Sequence, residues 1–388
     1  MTRNKPLYLD YMATTPIDAR VIDCMLEYMG PTSHFGNPAS TTHVYGRIAA
    51  QAVENARLQI AETVGATPED IIFTSGATEA DNLAILGSAR FYQTKGRHVI
   101  TLNTEHKAVL DCMKQLEREG FEVLRLQTKT DGLLDIAELE QALREDTILV
   151  SIMQVNNETG VVQDIAAIAN LLRGKGIIFH VDAAQSAGKL PIDLSQMPVD
   201  LMSFSAHKLY GPKGIGALYV RHKPRIRLQP ILYGGGHEQG LRSGTLPTHQ
   251  IVGMGEAFSI AEACREVEQS RILKLRERLW EGISQLPGIQ LNGHHQRRIA
   301  GNLNISFSGL EGMNLLPAMS ELAISTSSAC TSAREEVSYV LLSMGLSREQ
   351  ALSSVRISVG RYTSEADIEY AIGVIQRAIV ALRKKESL

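Results

Sequence analysis

Apolar, β-branched runs alternate with helical periodicity from about residue 55 to about residue 220. The strand-like runs are Ile71–Thr74, His98–Thr101, Leu149–Met153, Ile177–Asp182, Val199–Ser205 and Gly216–Val220, and Glu79–Tyr92 is among the helical stretches between them. Strands alternating with helices predict a mostly parallel sheet covered by helices, an α/β architecture. Beyond Gly244 the pattern changes. Ile251 to about Leu286 reads as one long helix and Asn302–Phe307 as a strand, followed by more helix, a strand near Val355–Ser358 and a polar helical tail over Ala381–Leu388. A second, smaller α+β domain is predicted there, joined by the N-terminal segment. The expected division is residues 16–260 for the large domain, with 1–15 and 261–388 forming the small one.

Composition narrows the class of protein. A chain of 388 residues, 44% hydrophobic and 21% charged, can bury a large core and divide into more than one domain. It contains no run of about 18 apolar residues, and Met1–Pro6 lacks an apolar signal core, so a soluble, cytoplasmic protein without a membrane partner is expected. The net charge of -3, with no basic stripe interleaved with aromatics, argues against direct nucleic-acid binding. Cys24, Cys112, Cys264 and Cys330 lie far apart and form no C-x-x-C pair, which predicts neither a zinc site nor a disulfide framework. A reducing compartment suits them.

The candidate chemistry begins at Ser203-Phe-Ser-Ala-His-Lys208, where a lysine leaves the C-terminal end of a predicted strand and enters a glycine-rich turn. Cofactor sites of α/β proteins gather at strand C-termini, and this is the setting expected of a Schiff-base lysine that holds pyridoxal phosphate. Thr74-Ser-Gly-Ala-Thr-Glu79 is a small-residue turn between a strand and a helix. Gly76, Ala77 and Thr78 either cradle a phosphate at the helix N-terminus, or the turn is ordinary capping by Ser75 or Thr78. Asp182 ends an apolar strand, where a buried acid needs a cation. It either pairs with a protonated pyridine nitrogen, with Gln185 near the ring hydroxyl, or caps the segment that follows.

These motifs occur in order with Thr104-Glu-His-Lys-Ala-Val109, Val155-Asn-Asn-Glu-Thr-Gly160, Gly234-Gly-Gly-His237, Arg242-Ser-Gly-Thr245, Ser327-Ser-Ala-Cys-Thr-Ser332 and Arg356-Ile-Ser-Val-Gly-Arg361. From Leu7 to about residue 385 the chain resembles the cysteine desulfurases, fold-type I, class V pyridoxal phosphate enzymes, and among them the housekeeping type of bacterial iron–sulfur cluster assembly. The resemblance implies a large domain with a mostly parallel seven-stranded sheet. It implies that Lys208 carries the cofactor, that His106 stacks on the ring and helps move protons, that Asn157 lies by ring and substrate, that Asp182 binds the ring nitrogen, and that Gln185 touches the ring oxygen. Thr78, Ser205 and His207 would hold the phosphate with Thr245 of the neighbouring subunit, so a homodimer is expected. Arg356 would clamp the substrate carboxylate.

Cys330 lies in a string of small polar residues, Ser325–Ala333, suited to an exposed loop, whereas Cys24, Cys112 and Cys264 sit in helical patterns and read as structural. As a thiolate, Cys330 would take sulfur from L-cysteine as a persulfide and release alanine. Implied acceptors are the iron–sulfur scaffold, sulfur carriers and tRNA-thiolation proteins. No metal site is predicted, and whether Cys330 also serves as a transient iron–sulfur ligand stays open. Arg221-His-Lys-Pro-Arg-Ile-Arg227 matches a basic patch that binds acidic partners such as frataxin-like protein and ferredoxin in that family, or is a solvated turn. Two departures stand out: Ser327 replaces a frequent glycine, and the family's C-terminal extension, which helps dock the scaffold, has no counterpart before Leu388. A selenocysteine lyase or an aminotransferase would use the same cofactor site, and a sulfur carrier with a vestigial site is the alternative outside catalysis.

Overall fold

The computed structural model describes residues 5–386 except 327–336, so Ser327 and Cys330 lie outside the described residues. In chain order the elements begin with strand β1 (Leu7–Tyr8), helices α1 (Ala19–Leu26) and α2 (Val44–Val64), β2 (Ile71–Thr74), α3 (Ala77–Tyr92), β3 (His98–Leu102), α4 (Lys107–Arg118) and β4 (Glu122–Leu126). They continue with α5 (Ile136–Ala142), β5 (Thr147–Ser151), α6 (Ile165–Leu172), β6 (Ile178–Asp182), β7 (Leu201–Ser205), β8 (Gly216–Val220) and α7 (Thr248–Ile283). The remainder comprises β9 (Ile289–Leu291), β10 (Asn302–Phe307), α8 (Gly312–Ala318), β11 (Leu322–Ala323), β12 (Ser325–Thr326), α9 (Tyr339–Ser343), α10 (Arg348–Leu352), β13 (Ser354–Ser358) and α11 (Glu365–Glu386).

Seven strands form the large sheet in the order β2-β8-β7-β6-β5-β3-β4. β8 pairs antiparallel with both β2 and β7, and the other ladders are parallel. The C-termini of β2, β3, β5, β6 and β7 therefore open onto one edge, together with the N-terminus of β8. Strands buried on both faces read as near-continuous apolar runs, and β2, β3, β5, β6, β7 and β8 are buried along their whole length. β4 is the exception. It lies at the edge, is half-exposed and carries Glu122 and Arg125 among its apolar residues, which is why no apolar run marks it in the sequence.

A second sheet, β12-β13-β10-β9, is antiparallel, and β1 pairs with β11. The 36-residue helix α7 connects the two sheets. Its N-terminal half buries Ile251, Met254, Ala257 and Phe258 in the core of the large sheet, and its C-terminal half buries Ile272, Leu275, Leu279 and Ile283 against the small one. Leu7 and Leu9, from the start of the chain, belong to that second core. Among the described residues no helix is long and apolar enough to cross a membrane.

Candidate active site

The open edge of the large sheet holds a cavity of about 570 Å³, lined in part by Gly76, Ala77, Thr78, His106, Asn157, Asp182, Gln185, Ser205, His207, Lys208 and Arg356. These residues span 281 positions of sequence, and the strand ends gather them. Lys208 closes a single 3₁₀ turn after β7, and its Nζ donates to the Met12 carbonyl at 2.7 Å and the Ala13 carbonyl at 2.8 Å. Asp182 is the last residue of β6, and its Oδ1 accepts from the Ala184 N–H at 2.8 Å. Burial raises its pKa, while that hydrogen bond and the charges of His106 and Lys208 counter the shift.

His106 caps α4, with Nδ1 accepting from the Ala108 N–H at 3.2 Å. A ring nitrogen that accepts there carries no proton, so neutral His106 holds its hydrogen on Nε2. Burial lowers its pKa, which keeps the ring neutral. His207 Nδ1 lies 3.1 Å from Thr14 Oγ1, and its pKa is pushed down to about 4 by burial and then by the charges of Lys208, Lys213 and Lys189.

The turn before α3 carries no side-chain cap. Gly76 is the N-cap, and neither Ser75 nor Thr78 performs that task. Glu79 instead reaches back to the Ser75 N–H at 2.8 Å while Arg242 holds its other oxygen at 2.9 Å. Ser75 through Glu79 line the cavity, so the N-terminus of α3 borders it. Gly76 has φ +154°, a conformation that favours glycine, and a Cβ on Gly216 would lie 2.6 Å from its Cα. Two glycines thus shape a cradle that a side chain would fill or distort.

Arg356, on β13 of the small sheet, reaches into the same cavity. Nη1 donates to the Asn157 carbonyl at 2.7 Å and Nη2 to Asp10 Oδ1 at 2.8 Å, while its Nε is buried without a partner. Asn157 Oδ1 is also buried and unpartnered. A buried orphan acceptor and a buried orphan donor in one cavity call for a ligand that supplies both. Pyridoxal phosphate and an amino acid fit the whole set: an amine at Lys208, a carboxylate at Asp182 for a ring nitrogen, helix N–H groups for a phosphate, and a guanidinium for a carboxylate. Thr245 is not brought to this cavity; it is exposed on the loop before α7.

Other groups at the site carry no local sequence signal. Asp10 pairs with Arg356 across 346 residues and also accepts from Ser325 Oγ at 2.7 Å. Asp81 lies on α3 under the cavity with its Oδ1 3.5 Å from His180 Nε2, and burial and the nearby Asp182 hold its pKa well above the ordinary carboxylate range. Glu158 accepts from Ser338 Oγ, and burial pushes its pKa up to about 7. A buried acid at the end of a strand is recognisable in sequence, but its partner is not.

The model of the aminotransferase class-V family matches residues 7–371, nearly the whole chain. Fold and site thus define a class-V aminotransferase, a class that depends on pyridoxal 5′-phosphate. The cysteine desulfurase IscS of Klebsiella pneumoniae subsp. pneumoniae is 58% identical over 383 residues, covering 99% of this chain and 95% of its own. A solved NifS-like protein superimposes with a TM-score of 0.90 at 35% identity, over 97% of this chain and all of its own. A structure described as SspA in complex with cysteine gives 0.81 at 39% identity over 92% of this chain and all of its own. Within class V, the chain belongs to the cysteine desulfurases of the IscS kind.

Proposed function

We propose that this chain converts L-cysteine to L-alanine and passes the sulfur atom to Cys330 as a persulfide. The observation that carries the reading is the convergence of Lys208, Asp182, His106 and the α3 N-terminus in one cavity that Arg356 enters from the small sheet. Pyridoxal phosphate, when bound, supplies an electron sink that acidifies the α-carbon of an attached amino acid and loosens its bond to sulfur. Asp182 would face the ring nitrogen, Gln185 the ring oxygen, and Thr78, Ser205 and His207 the phosphate, with Gly76 and Ala77 admitting it to the helix N-terminus.

Arg356 orients the substrate through its carboxylate, with Asp10 and the Asn157 carbonyl fixing the guanidinium plane. Lys208 Nζ takes the proton from the substrate α-carbon and returns one to the product. His106 moves a proton with Nε2, the nitrogen left free of the helix cap. The Cys330 thiolate attacks the substrate sulfur; the new S–S bond forms as the C–S bond breaks, and the electron pair stays with carbon until protonation yields alanine. Cys330 itself lies outside the described residues.

The test is incubation of purified protein with L-cysteine and a thiol reductant, following sulfide and alanine together. Equimolar products that vanish with Cys330→Ser support the reading. Alanine formed at the native rate without the Cys330 thiol removes the nucleophile, keto-acid formation favours transamination, and turnover confined to selenocysteine favours a lyase.

A homodimer belongs to the same proposal. Ile22, Leu26, Met29, Phe35, Tyr45 and Tyr233 are exposed apolar side chains, 43% to 76% accessible, and Thr245 is exposed where a second subunit would need it. Sedimentation giving a monomer at micromolar concentration would overturn it. We further propose a cytoplasmic enzyme that donates sulfur for iron–sulfur cluster assembly and tRNA thiolation. Exposed Arg225 and Arg227 serve acidic partners such as frataxin-like protein and ferredoxin, whereas neighbouring Arg221 is engaged with Asp200. Unchanged partner affinity at low salt after charge reversal at both exposed positions would sink that surface.

A further inference from the structure

Lys189 has no role in the chemistry above, yet it stands directly behind it. It lies in the turn after β6, and its Nζ donates to Gln185 Oε1 at 3.3 Å. Gln185 Nε2 in turn donates to the Met12 carbonyl at 2.9 Å, the carbonyl that Lys208 Nζ reaches at 2.7 Å. Behind Lys189 is a small cavity of about 30 Å³, walled by Tyr11, Thr15, Lys208, Tyr210, Glu268 and Arg361. That is room for about one or two waters and too little for an organic ligand.

No carboxylate makes an ion pair with Lys189 among the described residues. Glu268, the acid of that cavity, is taken up by Arg361 through two hydrogen bonds of 2.8 and 3.1 Å. Burial pushes the Lys189 pKa down to about 7, with the charges of Lys208 and Arg356 adding to the shift and that of Glu268 opposing it. Among the described residues the Gln185 amide oxygen is the hydrogen-bond acceptor of Lys189 Nζ.

Below a pH of about 7 Lys189 is an ammonium, which can only donate, whereas a carboxamide has one accepting and one donating end, and the two ends are nearly equal in shape. The Met12 carbonyl, which can only accept, holds the Nε2 end and Lys189 holds the oxygen end, so both contacts select the same orientation of the amide. We propose that Lys189 is a positioning residue, which locks the Gln185 carboxamide with its N–H₂ end toward the cofactor's ring oxygen. The inference rests on the reading of Gln185 beside that oxygen. With the lock in place the ring oxygen meets a donor; without it only the Met12 carbonyl, shared with Lys208, opposes the turned amide, whose oxygen repels a negative partner.

The bound cofactor's visible absorption reports this directly, independent of turnover. The holoenzyme is titrated spectrophotometrically as wild type, Lys189→Met, Lys189→Arg, Gln185→Leu and the Lys189→Met/Gln185→Leu double variant. A ring oxygen that loses a donor holds its proton more tightly, so Lys189→Met raises the midpoint by about one pH unit, the scale of one hydrogen bond to a charged group. Gln185→Leu shifts it likewise, the double variant shifts it no further, and Lys189→Arg keeps the wild-type midpoint. A Lys189→Met midpoint equal to wild type, or shifts that add in the double variant, overturns the proposal. Should Lys189→Met not fold, a crystal structure of the wild-type holoenzyme decides: the inference stands with Lys189 Nζ on Gln185 Oε1 and Nε2 on the ring oxygen, and falls if either contact is missing. A wild-type protein with no visible band would instead remove the cofactor reading on which this inference rests.

Discussion

Buried charge sets the behaviour of single residues at this site. Arg356 is 5% exposed and already shares its two Nη groups between Asp10 and the Asn157 carbonyl, so its plane is fixed before substrate arrives. Lysine has neither the fork nor the rigidity to replace it. We predict that Arg356→Lys raises KM for L-cysteine by about 10- to 100-fold while kcat changes less, the scale of one hydrogen bond between charged groups. Steady-state kinetics at varied L-cysteine checks this, and an unchanged KM refutes the clamp.

Glu158 gives a second expectation, on stability. Its folded pKa, raised to about 7 by burial, lies above that of an exposed glutamate, so the native state binds more protons than the unfolded state between those two values. Stability is highest with the carboxyl protonated and falls as pH rises through that window, by about 3 kcal/mol at most. Glu158→Gln keeps an acceptor for Ser338 Oγ and removes the titration. It is expected to melt higher than wild type at pH 8 and equally at pH 5, with calorimetry at both values as the check.

At the scale of elements, the turn from β2 into α3 shows what packing adds to a motif. Ser75, Gly76, Ala77 and Thr78 are small in the sequence, and both phosphate binding and helix capping explain that. The fold speaks against capping by Ser75 or Thr78, because no side chain caps the helix and Glu79, held by Arg242, reaches past its start to the Ser75 N–H. Gly76→Ala forces a side chain into a φ of +154°, a strain of about 1–3 kcal/mol. Cofactor affinity is predicted to drop by about tenfold or more as that strain displaces the cradle. Absorbance titration of the apoenzyme with pyridoxal phosphate measures it; native affinity would show that the cradle tolerates a Cβ.

On the scale of the whole molecule, α7 and Arg361 join the sheet whose strand β6 ends in Asp182 to the one that holds Arg356. Arg361 follows β13, pairs with Glu268 on α7 at 2.8 Å and with Asp18 ahead of α1 at 2.7 Å, and stacks 4.0 Å over the Tyr210 ring. Removing one partner of a buried network leaves the others charged and unpaired. Arg361→Ala is therefore expected to cost about 3–5 kcal/mol in denaturant unfolding. A loss below about 1 kcal/mol, the worth of an exposed pair, would show that this junction is solvated.

The sequence by itself determined the elements that stand on local physics. Six of the seven large-sheet strands are legible because burial on both faces demands continuous apolar runs, and Lys208 and Asp182 are legible because polar residues end such runs. β4 escaped because an edge strand has one side in water, and β5 begins at Thr147, two residues before its apolar run suggests. The class of chemistry was also readable, since Asp182 ends a strand and Lys208 and Gly76 lie in the turns just after two others. What only the tertiary structure decided is pairing: Asp10 with Arg356, Ser338 with Glu158, Lys189 with Gln185 behind Lys208. Periodicity is a property of neighbours in the chain and can be read there. Which distant groups meet depends on how sheets and helices pack, and the energy of a buried charge depends on that meeting.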